Sequence, residues 1–100
     1  MLTSKKRAQL RSMASTEDTI IYVGKDGITD NLITQVKDAL KARELIKGKV
    51  QEASILTARE ACSELARVCE AEPVQVIGSK FALYKENLKM DKSKKIKFTK

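Results

Sequence analysis

Thr19-Ile20-Ile21-Tyr22-Val23-Gly24-Lys25-Asp26-Gly27-Ile28-Thr29 is the stretch whose reading decides the fold. Residues 19–23 form a β-branched run that favours a buried strand, and the run stops at a loop with a glycine at either end. Past the loop, Ile28, Leu32, Ile33, Val36, Ala39 and Leu40 recur at helical spacing behind Thr29, a residue suited to capping. A helix is therefore expected over residues 29–42. A strand feeding a helix through a short glycine loop places the chain among α/β folds.

Working outward, Thr3 or Ser4 can cap a first helix running to about Ala14, with Leu10, Met13 and Ala14 on one face. Its cations Lys5, Lys6, Arg7 and Arg11 oppose the helix dipole, which favours acids near an N-terminus. A broken local rule of this kind points to a use for the charge. From Glu44 to Gln51 the pattern alternates, with Ile46, Gly48 and Val50 on the core side and Leu45, Lys47 and Lys49 on a partly solvated side. Thr57-Ala58-Arg59-Glu60 is a capping-box pattern that opens a helix to about Glu70, with Ala61, Cys62, Leu65, Ala66, Val68 and Cys69 on its apolar face. Pro73 starts a strand over residues 74–77, and Gly78-Ser79 turns it into a second strand over residues 80–84. The expected order is α-β-α-β-α-β-β, without internal repeats. Residues 1–86 form the domain, and residues 87–100 a Lys-rich tail expected to be flexible, with Ile96 and Phe98 as its late apolar residues.

One hundred residues suffice for a single domain, and 42% apolar content for its core, which aliphatic side chains must dominate because only 4% are aromatic and none is Trp. No apolar run approaches the roughly 20 residues that span a bilayer, and the start lacks the apolar block of a signal peptide, so a cytoplasmic protein with no membrane partner is expected. Cys62 and Cys69, about 10 Å apart on one helix, cannot bridge there and are expected to be buried core residues. The chain has no His and no CxxC, so it offers no recognised metal spacing and no usual neutral-pH general base. No constellation supports an enzyme, a cofactor or a small-molecule substrate.

The net charge is +7, and it sits at the ends. Residues 1–11 carry four basic residues and no acid, and residues 85–100 carry seven lysines against Glu86 and Asp91; residues 12–84 hold nine basic and eleven acidic residues. Clustered cations suit a polyanion, because neutralising phosphates releases counterions; solubility is the plainer reading of the same charge.

Gly24-Lys25-Asp26-Gly27 carries the chemistry. Its glycines allow positive φ and close backbone approach, while Lys25 and the free N–H groups at the following helix start offer donors to a phosphate. A turn needing glycine for its own geometry is the structural alternative, and Asp26 opposes phosphate contact. Lys47 and Lys49 fit either a wetted strand face or phosphate contacts. Tyr22 and Tyr84 could stack bases, but their apolar strands favour packing in a core or interface.

Leu2-Thr3-x-Lys5-x-Arg7-x-x-Leu10-Arg11-x-x-Ala14, Val23-Gly24-Lys25-x-Gly27-Ile28-Thr29, Arg43-Glu44-Leu45-Ile46-Lys47, Val74-Gln75-Val76-Ile77-Gly78 and Leu83-Tyr84, taken in order, resemble the CRM domain, named for chloroplast RNA splicing and ribosome maturation. The resemblance covers about residues 2–86. It implies a compact α/β RNA-binding module with a four-stranded mixed sheet, similar to the C-terminal domain of a bacterial translation initiation factor, with the GxxG loop as RNA contact. The chain looks like the stand-alone bacterial type, which is associated with large-subunit precursors. Two departures stand out. Residues 15–19 lack a Pro frequent there and hold Glu17 and Asp18, and Gly48 replaces a bulkier strand residue, which should weaken its strand by about 0.5–1 kcal/mol.

These readings converge on a non-catalytic, monomeric RNA-binding protein that assists large-subunit assembly. Its partner would be ribosomal RNA or precursor particles, met by Gly24, Lys25, Asp26, Gly27, Lys5, Lys6, Arg7, Arg11, Lys47 and Lys49. The competing class is a basic module docking on an acidic protein.

Overall fold

The computed structural model describes residues 3–91 and 95–96. It contains α1 (Ser4–Ala14), β1 (Thr19–Val23), α2 (Asp30–Arg43), β2 (Leu45–Val50), α3 (Ala58–Cys69), β3 (Glu72–Ile77) and β4 (Lys80–Tyr84), in the order expected. Each helix starts where a threonine can accept from a first-turn amide: Thr3 from Lys6, Thr29 from Leu32 and Thr57 from Glu60. At α3 the box is closed, since the Thr57 N–H donates to the Glu60 carboxylate at 2.9 Å. Caps of this kind contribute about 1 kcal/mol each. The Glu60 carboxyl is held below its ordinary range by the Thr57 amide, then by the Thr57 hydroxyl, against a smaller cost of burial.

The four strands form one mixed sheet in the order β1-β2-β4-β3, with β1 parallel to β2 and both other pairs antiparallel. Alternation along β2 and β4 divides the core between two faces. Ile46, Phe81 and Leu83 join Ile21 and Val23 beneath α2 and α3, while Leu45, Ala82 and Tyr84 join Val74 beneath Leu10 and Ala14 of α1. The result is a sheet between one helix and two. Cys62 and Cys69 are buried and free, as expected. Burial pushes the Cys62 thiol up to about 11, against an opposing pull from Arg59. The folded protein should therefore resist iodoacetamide at pH 8 and become reactive at Cys62 on denaturation, as read by mass spectrometry.

The first strand departs from expectation. β1 is an edge strand, and Tyr22 lies on its wet side with 52% of its surface exposed, so it does not pack in the core. Tyr84 does, beneath α1. The apolar run marks Ile21 and Val23 as core correctly, but periodicity alone does not tell an edge from a centre.

Gly48 also departs from expectation. It pairs with Phe81 across β2 and β4, and a Cβ on Gly48 would lie 2.4 Å from Phe81 Cζ. The missing side chain makes room for the ring, which fills the space over the strand and offsets the weakening assigned to glycine. The β3–β4 turn uses its glycine in the ordinary way, with Gly78 at φ 59° and Ile77 paired to Lys80.

The alternating stretch begins at Leu45 and not at Glu44. Glu44 caps the end of α2 with φ 62°, and it is 1% exposed. Its carboxylate accepts from the Asn87 N–H at 2.8 Å, the Ile96 N–H at 2.9 Å and the Lys95 ammonium at 2.9 Å. Residues 87, 95 and 96 thus touch the domain body, and Ile96 packs against the cluster beneath α1. Phe98 and the tail lysines Lys92, Lys94, Lys97 and Lys100 lie outside the described residues.

Candidate nucleic-acid interface

β1 and β2 run parallel and β4 runs against β2, so the GxxG loop, the residues after Val50 and the Gly78-Ser79 turn gather at one end of the sheet. Two backbone bonds tie that end together: Gln51 N–H to the Val23 carbonyl at 2.9 Å and Val50 N–H to the Ser79 carbonyl at 2.8 Å. The capped N-termini of α2 and α3 follow the loops at this end, and with them the positive ends of two helix dipoles.

Within the loop, the Gly27 N–H donates to the Gly24 carbonyl at 3.1 Å, closing a tight turn with Lys25 and Asp26 exposed at its tip. Gly27 has φ 68°, where any side chain is strained. A Cβ at Gly24 would lie 3.1 Å from the Gln51 side-chain oxygen. Gly27 is therefore explained by local geometry and Gly24 meets only the end of the Gln51 side chain, while Lys25 has no such explanation, since no ion pair among the described residues holds it. The groove beside the tip is lined by Tyr22, Thr29, Asn31, Gln35 and Gln51 together with the four loop residues. Leu32 also lines it, and the other side chains are hydrogen-bonding groups, with Asp26 the carboxylate among them.

The remaining candidates divide. Lys47 and Lys49 point to the face of the sheet that carries α1, and the register adds Lys80, directly opposite Lys49. Nothing in the sequence singles out Lys80, because its neighbour in space is 31 positions away. Arg7 serves the fold: its guanidinium donates to the Pro73 carbonyl at 2.6 Å and lies 3.5 Å from the Glu72 carboxylate, docking α1 on β3. That contact is at the start of β3, so Arg7 sits at the end of the sheet away from the GxxG loop. Lys5, Lys6 and Arg11 are exposed along α1. The structure does not gather the ten candidates at one point. It spreads Lys5, Lys6, Arg11, Lys47, Lys49 and Lys80 over one face, with Lys25 at its rim.

The two faces differ in charge. α1, β2, β3 and β4 carry cations with Glu72 as their one acid, and Arg7 engages it. α2 and α3 alternate in sign, with Asp30, Asp38, Glu60 and Glu64 set among Lys37, Lys41, Arg43, Arg59 and Arg67. Among the described residues no group of His, Cys, Asp and Glu could hold a metal ion, and no helix is long and apolar enough to cross a membrane.

Such a fold, with a glycine-flanked lysine at the loop end and one basic face, defines a small α/β module with a four-stranded mixed sheet. The chain belongs to the CRS1/YhbY (CRM) domain family, which residues 2–85 match. It is 40% identical over 87 residues to the probable RNA-binding protein YqeI of Bacillus subtilis, covering 87% of this chain and 91% of that protein. It is 37% identical over 86 residues to the probable RNA-binding protein MJ0652 of Methanocaldococcus jannaschii, covering 84% of this chain and 63% of that one. The solution structure of SAV1595 from Staphylococcus aureus superimposes with a TM-score of 0.77 at 39% identity, covering 97% of this chain and all of the other. The family and the mixed four-stranded sheet are as the resemblance implied.

Proposed function

We propose that the protein binds structured RNA of the large ribosomal subunit precursor and assists its assembly in the cytoplasm, as a monomer and without catalysis. The observation that carries this reading is the exposed Lys25 at the tip of a hydrogen-bonded glycine turn, next to a face whose cations outnumber its acids. Such a surface follows a phosphate backbone through charge and shape and reads bases weakly. The names of YqeI and MJ0652 support an RNA partner.

Lys25→Ala should weaken binding to a structured ribosomal RNA fragment by about tenfold, equal to about 1.4 kcal/mol. It should also reduce the slope of log affinity against log salt by about one and leave the melting temperature unchanged. Fluorescence titration at several salt concentrations checks this, and unchanged affinity at low salt refutes the loop contact. Sedimentation of extract, with and without nuclease, separates this function from docking on an acidic protein: the protein should travel with large-subunit precursors and be released by nuclease.

A further inference from the structure

α1 covers only part of its face of the sheet. It lies over Leu45, Val74, Ala82 and Tyr84, which leaves the half nearer the GxxG loop open. On that half the register places Tyr22 beside Lys49, Lys49 beside Lys80, and Lys80 beside Ile77. Residues paired across strands point the same way, so these four form one row across all four strands, spanning about 14 Å at roughly 4.8 Å per step. All four are exposed, Tyr22 by 52% and Ile77 by 66%. The Tyr22 hydroxyl donates to the Thr19 carbonyl at 3.4 Å, within its own strand. Tyr22 also lines both the loop groove and the neighbouring groove that holds Lys49, Glu52 and the Gly78-Ser79 turn.

Two apolar side chains at the ends of a row with two ammonium groups between them are poorly suited to a protein partner. Centres of protein interfaces are depleted in lysine, and here lysine occupies the centre. The order suits a nucleic-acid strand, whose bases offer π-faces and whose phosphates offer charge. A duplex hides those faces, so the aromatic end selects unpaired nucleotides. Resting on the RNA-binding reading above, we propose that this row seats an unpaired RNA segment, with a base stacked on Tyr22 and the adjoining phosphates on Lys49 and Lys80. The protein would then take an RNA with a single-stranded stretch beside the helix held by the loop.

The test uses the full chain with two labelled probes, an oligoadenylate of about ten nucleotides and an RNA duplex of similar length. Tyr22→Ala should weaken oligoadenylate binding about tenfold and change duplex binding by less than about twofold, while Tyr22→Phe stays near the parent on both. Tyrosine emission should fall when oligoadenylate binds the parent, and hold steady in Tyr22→Phe, where only buried Tyr84 remains. Lys25→Ala should weaken both probes. If Tyr22→Ala binds oligoadenylate like the parent while Lys25→Ala still loses affinity, the platform is wrong and the loop assignment stands. Equal losses of both probes in Tyr22→Ala, with a lower melting temperature, make Tyr22 structural and also overturn the platform. A parent that binds neither RNA, or binds polyglutamate as tightly, removes the platform and the proposed function together.

Discussion

Gly48→Val is expected to lower the stability of the domain by about 3 kcal/mol or more, near the upper end for overpacked cores. Its Cβ would stand 2.4 Å from Phe81 Cζ and 2.7 Å from Cε2, and the ring is boxed in at 2% exposure beneath α2 and α3. For a domain of this size the melting temperature should fall by about 12 °C or more, read by circular dichroism. The effect belongs to the pair and not to the strand. Phe81→Ala alone should cost about 3–5 kcal/mol, but in that background Gly48→Ala should be neutral or stabilising by up to about 1 kcal/mol, because the ring that excluded a methyl group is gone. A full additive penalty in the double variant would show that Gly48 is required for some other reason.

Glu44→Ala should cost about 2–4 kcal/mol, between the loss of a charged hydrogen bond and the breaking of a fully buried pair. It leaves the Asn87 and Ile96 amides and the Lys95 ammonium without their shared acceptor. Glu44→Gly should be milder by about 1 kcal/mol, since it loses the same bonds but relieves a φ of 62°. The pH dependence has a definite sign. Burial raises the Glu44 pKa, but the Asn87 and Ile96 amides and then Lys95 outweigh it, so the carboxyl sits below its ordinary 4.5. A depressed acid stabilises the fold above its unfolded value and loses that contribution as the pH falls through the lower, folded one. Chemical denaturation in acid should therefore show parent and Glu44→Ala converging below about pH 4.5. Lys95 behaves in the opposite sense: Glu44 raises its pKa, so its contribution is present below 10.5 and fades as alkali deprotonates it. A constant gap between the two proteins down to pH 2 would mean that the penalty does not come from the ionised carboxylate.

These two sites mark the limit of what the sequence could tell. Thr3, Thr29 and Thr57 are legible as caps because a cap and its amide lie three residues apart, and the Gly78 turn because a two-residue hairpin is wholly local. The donors to Glu44 lie 43 to 52 residues away, and a lone glutamate between Arg43 and Leu45 gives no sign that it will be buried. Gly48 reads as a weak strand residue until the fold brings Phe81 beside it. The loop and its lysine are readable from composition and spacing. Lys80 and the exposed ring of Tyr22 are not, since only the strand order β1-β2-β4-β3 sets them in one row.

That strand order also governs when the fold can form during synthesis. β4 is the last of the described strands along the chain, yet it lies inside the sheet, between β2 and β3. Until residue 84 has emerged, β1 and β2 have each other as the only partners in the sheet, and β3 has none. α1 precedes all four described strands and must wait for them, because the surface it covers includes Val74, Ala82 and Tyr84 from β3 and β4. A sheet closed by so late a strand is dominated by non-local pairings, which form slowly because loop closure precedes the contacts that reward it.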